Sequence, residues 1–195
     1  MSLSMVWTVF FYGWLITEIY IAIATRTRSG GGKVSDRGTM LILWVVIFGS
    51  ITAGIWIREA MGFNLPFGWG SELVLYRIKL AAVILLIGAL LLRWSAVISL
   101  GKAFSANVAI RETQRVRTHG LYRWMRHPSY TGLLFCFLAV ALHTRNWISF
   151  LIVMVLPSMA LMYRIHVEEI ALREHFGQEY IDYSLRTKRL IPGIY

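Results

Sequence analysis

The sequence predicts an all-α, polytopic integral membrane protein with five transmembrane helices, a reading that rests on three observations. Of the 195 residues, 57% are apolar and only 15% charged, against roughly 25% charged in an ordinary soluble domain. Long apolar runs alternate with short basic or glycine-rich connections, and a span needs about 20 such residues, so five is the ceiling. The basic residues, 20 against 10 acidic for a net charge of +10, collect on alternate connections. In a soluble chain that charge would point to nucleic acid; beside apolar spans it points to membrane lipid, and no nucleic acid partner is expected. A single cysteine, Cys136, excludes a disulfide framework and any multi-thiolate metal centre within one chain.

The chain reads as one membrane domain, 1–195, with spans at about 3–24, 40–57, 80–100, 129–143 and 147–163. The first lacks a preceding Lys or Arg and is read as retained, without the basic region of a secretory signal. A flexible linker follows, where Arg26, Arg28, Lys33 and Arg37 surround Ser29-Gly30-Gly31-Gly32. Gly31-Gly32-Lys33 is no phosphate-binding loop, because Val34 stands where Ser or Thr must hold magnesium. After the second span, Asn64, Pro66, Gly68 and Gly70 break the helix, and Trp56, Phe63, Phe67 and Trp69 suit an interfacial aromatic belt. The third span contains Arg93, expected to snorkel toward the interface.

The last two apolar runs flank His143-Thr144-Arg145-Asn146, so short a connection that they form an antiparallel carboxyl-terminal hairpin. With five spans, 16 of the 20 Lys and Arg fall on one side, which places the amino terminus outside and the 101–128 and 164–195 segments in the cytoplasm.

Those two segments hold most of the remaining chemistry. The long connection ends in Gly120-Leu121-Tyr122-Arg123-Trp124-Met125-Arg126-His127-Pro128-Ser129-Tyr130-Thr131-Gly132. Pro128 suits a first helical turn, aiming unpaired N–H groups at the loop. His127 has a bland alternative use as a helix cap, and Gly132 as a helix-packing residue. Beyond the fifth span, 163–177 reads as a helix closed by Gly177, with Arg164 and Glu168 four apart on one face. The tail through Arg186, Lys188 and Arg189 is expected to lie along the membrane surface. His spacings of eight and nine make no helical metal pair.

Gly120-Leu121-Tyr122, Arg126-His127-Pro128-Ser129-Tyr130-Thr131-Gly132, Arg164-x-x-x-Glu168-Glu169, Phe176-Gly177, Tyr180, Tyr183 and Leu190-Ile191-Pro192 together resemble the isoprenylcysteine carboxyl methyltransferase family, over roughly the carboxyl-terminal half. The resemblance implies a cytosolic helical cofactor site for S-adenosyl-L-methionine and a prenylated or lipid-linked acceptor entering from the bilayer. By motif, Gln114, Arg115, Val116, Arg117, Tyr122, His127, Pro128, Ser129 and Tyr130 would hold the cofactor. Glu168 would help hold it as a catalytic residue, and Arg164 would meet the acceptor carboxylate. An ionised carboxylate needs no general base for methylation, whereas an amine would need Glu168, Glu169 or His166 as one. Phospholipid head-group N-methylation is the alternative within this chemistry. A non-enzymatic scaffold or transporter is the alternative outside it, resting on Glu18 at membrane depth.

Overall fold

Capping side chains set several helix ends. In the computed structural model, which describes residues 2–25, 33–34, 38–62, 71–105, 109–110 and 115–194, Ser2 accepts from Met5 N to open α1 (Leu3–Ala24). α2 (Thr39–Met61) follows, and Ser71 accepts from Val74 N to open α3 (Glu72–Leu100). Pro128 occupies the first turn of α4 (Pro128–Thr144), where its missing N–H costs nothing. Arg145, at φ 53°, reverses the chain, and Asn146 Oδ1 then accepts from Ile148 N and Ser149 N, both at 3.0 Å, to open α5 (Trp147–Phe176). Gly177, at φ 55°, closes α5 and leads into α6 (Gln178–Arg186). The Gly-rich linker, the aromatic 63–70 loop and Gln114 lie outside the described residues.

α1, α2, α3 and α5 are long and apolar enough to cross a membrane. α4 has 17 residues, about 25 Å of helix against a hydrocarbon core of about 30 Å. α5 has 30 residues and so reaches about 45 Å, which carries its last turns beyond the apolar stretch. The expected fifth span and following helix are therefore one continuous rod. α3 begins about two turns before the expected boundary, because Arg77 and Lys79 end the apolar run but favour helix.

α4 packs between α3 and α5, α2 lies along α5, and α1 along α3. Small residues allow the closest approach: a Cβ on Gly132 would sit 2.9 Å from Ala89 O and Arg93 N, so the packing role foreseen for Gly132 holds. Ala82, Ala89 and Ala96 are almost fully buried along α3. Gly54 of α2 likewise abuts Val153 and Ser149 of α5, and Ser149 Oγ donates to Gly54 O at 2.8 Å.

Arg93 does not snorkel. It is 5% exposed and pairs with the equally buried Glu18 of α1. Its Nη2 donates to Glu18 Oε2 at 2.5 Å, its Nη1 to Ser129 Oγ at 2.6 Å and Ser129 O at 3.1 Å, while Trp14 Nε1 donates to Glu18 Oε1 at 3.3 Å. A matching carboxylate on the neighbouring helix makes the interior cheaper than a long reach to water. The pair also accounts for Glu18 structurally and removes the main support for a permeation path.

Both ends of the bundle are tied. A two-residue antiparallel pairing of β1 (Lys33–Val34) with β2 (Ala109–Ile110) joins the α1–α2 and α3–α4 connections at one end, a small departure from an all-α chain. Thr39 and Arg164 meet at that same end. At the other, Asn146 Nδ2 donates to Gly62 O at 3.1 Å and Lys79 bonds Ser4.

Candidate active site

The site is built where the 120–128 segment, the last turns of α5 and the chain's final residues converge. Gly120, at φ 62°, starts a short 3-10 turn through Arg123. Tyr122 is held in place from both sides: its hydroxyl donates to Ala96 O at 3.3 Å, and its carbonyl accepts from the Tyr183 hydroxyl at 2.7 Å. Arg126 N and His127 N then donate to Lys188 O and Arg189 O at 2.7 and 2.9 Å. Thr131 Oγ1 donates to Leu190 O at 2.8 Å. Residues 187–190 are therefore clamped to the start of α4. Unpaired backbone groups ahead of α4 need partners, and the tail supplies them.

Glu169 locks this assembly. Its Oε1 accepts from Arg126 Nε and its Oε2 from Arg189 Nε, both at 3.0 Å, and His127 Nε2 stands 3.4 Å from Oε1. Burial pushes the Glu169 carboxyl up, but His127, Arg189 and Arg126 outweigh it and hold it well below the usual carboxylate range. Committed to these partners, Glu169 is a poor candidate for the general base that amine methylation would need.

Within this frame lies a cleft walled by Arg115, Val116, Arg117, Tyr122, His127, Ser129, Tyr130 and Glu168, with about 830 Å³ of non-atom space, part of it open to solvent. Eight residues singled out by motif thus share one cavity. Pro128 does not wall it but begins α4 behind it. His127 makes no side-chain cap to that helix. Three buried polar atoms of the lining have no hydrogen-bond partner among the described residues: Glu168 Oε2, Tyr180 Oη and His127 Nε2, which stands near Glu169 without hydrogen-bond geometry. Buried polar groups are normally satisfied, so three around one cleft mark where a polar ligand binds. Burial beside the Glu168 and Glu169 carboxylates pushes the Tyr180 phenol up, and burial raises Tyr183 to about 12. Both rings stay neutral donors at physiological pH.

Arg164 faces elsewhere. Buried on α5, it donates through Nε to the Tyr130 hydroxyl at 3.0 Å and through Nη1 to Thr39 Oγ1 at 2.9 Å. It lines a second cavity between the helices, with about 470 Å³ of non-atom space, part of it open to solvent, whose other walls include Ile21, Leu43, Trp44, Ile47 and Leu133 together with the paired Glu18 and Arg93. Tyr130, Phe104 and Ser105 line both cavities and form their shared wall. The sequence also left Leu100, Ala103, Phe104, Ser105, Leu172 and Phe176 out of the first cavity. They are apolar or small, and only their position in three dimensions, on α3, α5 and the connection after α3, assigns them.

Residues 82–174 match the Isoprenylcysteine carboxyl methyltransferase (ICMT) family. The match runs from within α3 through the 101–127 connection and α4 into the last turn of α5, and so contains Tyr122, His127, Tyr130, Arg164 and Glu168. The chain is 33% identical over 106 residues to protein-S-isoprenylcysteine O-methyltransferase B of Arabidopsis thaliana, covering 53% of this chain and 54% of that protein. It is 32% identical over 114 residues to a probable protein-S-isoprenylcysteine O-methyltransferase of Oryza sativa subsp. japonica, covering 57% and 59%. The Mus musculus protein-S-isoprenylcysteine O-methyltransferase is 31% identical over 105 residues, covering 53% and 37%. The chain thus spans about half the length of the relatives it matches. Family and relatives are named as methyltransferases. Glu18, Thr39, Tyr180, Tyr183 and Arg189 lie outside the family match, so the residues that complete and brace the site come from beyond it.

Proposed function

We propose that this protein is an S-adenosyl-L-methionine-dependent methyltransferase that esterifies the carboxylate of an isoprenylated cysteine, with five spans, its amino terminus outside and its site facing the cytoplasm. The observation that carries this reading is the placement of three unsatisfied polar atoms, on His127, Glu168 and Tyr180, around one cavity that shares the Tyr130 wall with a largely apolar cavity lined by Arg164. When bound, S-adenosyl-L-methionine supplies an electrophilic methyl group on a sulfonium centre.

Glu168 offers a carboxylate to a cationic ligand, and Tyr122, Tyr180 and Tyr183 offer aromatic faces. His127 Nε2 and the Tyr180 hydroxyl are available for its polar groups. In the neighbouring cavity the apolar walls suit a lipid chain, and Arg164, oriented by Tyr130 and Thr39, suits a carboxylate. A carboxylate acceptor is already ionised at neutral pH, so the protein has only to position it and exclude water. The withdrawn Glu169 fits a reaction that needs no base.

The test is methyl transfer from radiolabelled donor to S-farnesylcysteine and geranylgeranyl analogues by the purified protein. Label released as methanol by mild base supports the ester. Base-stable label on a phospholipid amine would replace this reading with N-methylation, and no transfer to either would reject both.

A further inference from the structure

On the same end of the molecule, outside the proposed donor cavity, the 123–126 turn and the final residues enclose an open groove. Its walls carry Arg123, Arg126, Arg186, Lys188 and Arg189, and no Asp or Glu among the described residues. Arg126 and Arg189 are held from behind by Glu169. Arg123, Arg186 and Lys188 are exposed. Glu179 and Asp182 border the adjoining cleft, which shares Arg123 and Arg186 with the groove. The rim is apolar: Trp124 is 59% exposed, Leu185 81% and Ile194 75%.

Basic walls under bare apolar side chains are a poor surface for water and a good one for a bilayer interface, where Trp favours the headgroup level and Lys and Arg meet anionic lipid. The depth agrees. Leu190 is buried in the helix-bundle core with Ile191 packed against it, and its carbonyl bonds Thr131 in the first turn of α4. The groove's tail therefore starts at the level where α4 enters the bundle.

We propose that this groove binds the phosphate of an anionic phospholipid headgroup, with Trp124, Leu185 and Ile194 seated among the acyl chains. The inference does not depend on the methyltransferase reading. It gives the clamped tail a second role, because lipid bound there holds the 187–190 strand that satisfies Arg126 N and His127 N.

Full-length protein in a zwitterionic detergent is melted with short-chain phosphatidylglycerol, short-chain phosphatidylcholine, inorganic phosphate or a polyglutamate peptide. A stabilising shift with phosphatidylglycerol alone is expected. In Arg123→Gln/Arg186→Gln/Lys188→Gln the half-saturating concentration should rise on the order of tenfold to a hundredfold, while Arg26→Gln/Arg28→Gln/Arg37→Gln behaves as wild type. Should the first triple variant not fold, the exposed single variant Arg186→Gln should still weaken the shift. An unchanged shift in the groove variants, or an equal shift with phosphatidylcholine, overturns the proposal. A full shift with phosphate or polyglutamate alone replaces the lipid with a soluble anion or an acidic protein segment.

Discussion

Replacing Glu18 with Gln would remove one charge from a deeply buried ion pair of the helix bundle. Glu18 and Arg93 are each 5% exposed, so water cannot screen the guanidinium that remains. Breaking such a pair from one side costs about 3–5 kcal/mol in soluble proteins, and a lone Arg at the centre of a spanning helix about 2.5–3.5 kcal/mol on insertion scales. The substituted amide still offers one carbonyl to Arg93, which places the expected loss near 3 kcal/mol. For a chain of this size that lowers Tm by about 6–12 °C. The double variant Glu18→Leu/Arg93→Met removes both charges and forfeits the two bonds to Ser129 and the one from Trp14, about 1 kcal/mol each. It should melt above the single variant. Thermal unfolding in one detergent reads all three proteins. A Glu18→Gln Tm within 2 °C of wild type by this scale, or a double variant as damaged as the single, would refute the argument that the pair is mutually dependent.

Gly132→Ala forces a methyl group against the α3 backbone, which side-chain rotation cannot relieve, and should destabilise by about 1–3 kcal/mol, measured as a lowered Tm. Arg164→Lys loses the paired donors fixed by Tyr130 and Thr39. It should raise acceptor KM or abolish turnover while donor affinity stays within about twofold, since Arg164 is absent from the donor cavity. Glu169→Gln should lower Tm at neutral pH. Because the Glu169 carboxyl is depressed in the folded state, its contribution is complete above the unfolded value of about 4.3 and is lost as pH falls below it. The gap between wild-type and variant melting temperatures should start to narrow below about pH 4.3 and keep narrowing toward the depressed folded value, and a constant gap would contradict the assignment.

Hydropathy makes the helices and their order legible, and the Thr144–Asn146 stretch makes the hairpin turn legible, because both signals are local. The burial of Arg93 is not legible, because its partner Glu18 is 75 positions away and no local pattern reports that two helices bring opposite charges to one depth. Within the site, the motif residues from Tyr122 to Tyr130 converge because one short segment carries them. Glu168 and Glu169 show the limit of that reading. Adjacent on α5, they point about 100° apart, so one faces the cavity and the other the clamped tail, and only the packing of α6 and residues 187–190 tells which. Arg164 and Glu168 share a helix face, as their spacing requires, yet the Tyr130 ring stands between the cavities they line. Apolar walls such as Phe104 and Leu172 carry no chemical signature and become visible only in three dimensions.

Calorimetric titration of S-adenosylhomocysteine, the demethylated product, into the detergent-purified protein tests the donor cavity most directly. The account predicts micromolar binding that is weakened at least about tenfold by His127→Ala and by Glu168→Gln, each of which removes an atom now lacking a partner. Absence of binding to well-folded protein, or binding indifferent to both substitutions, would contradict it.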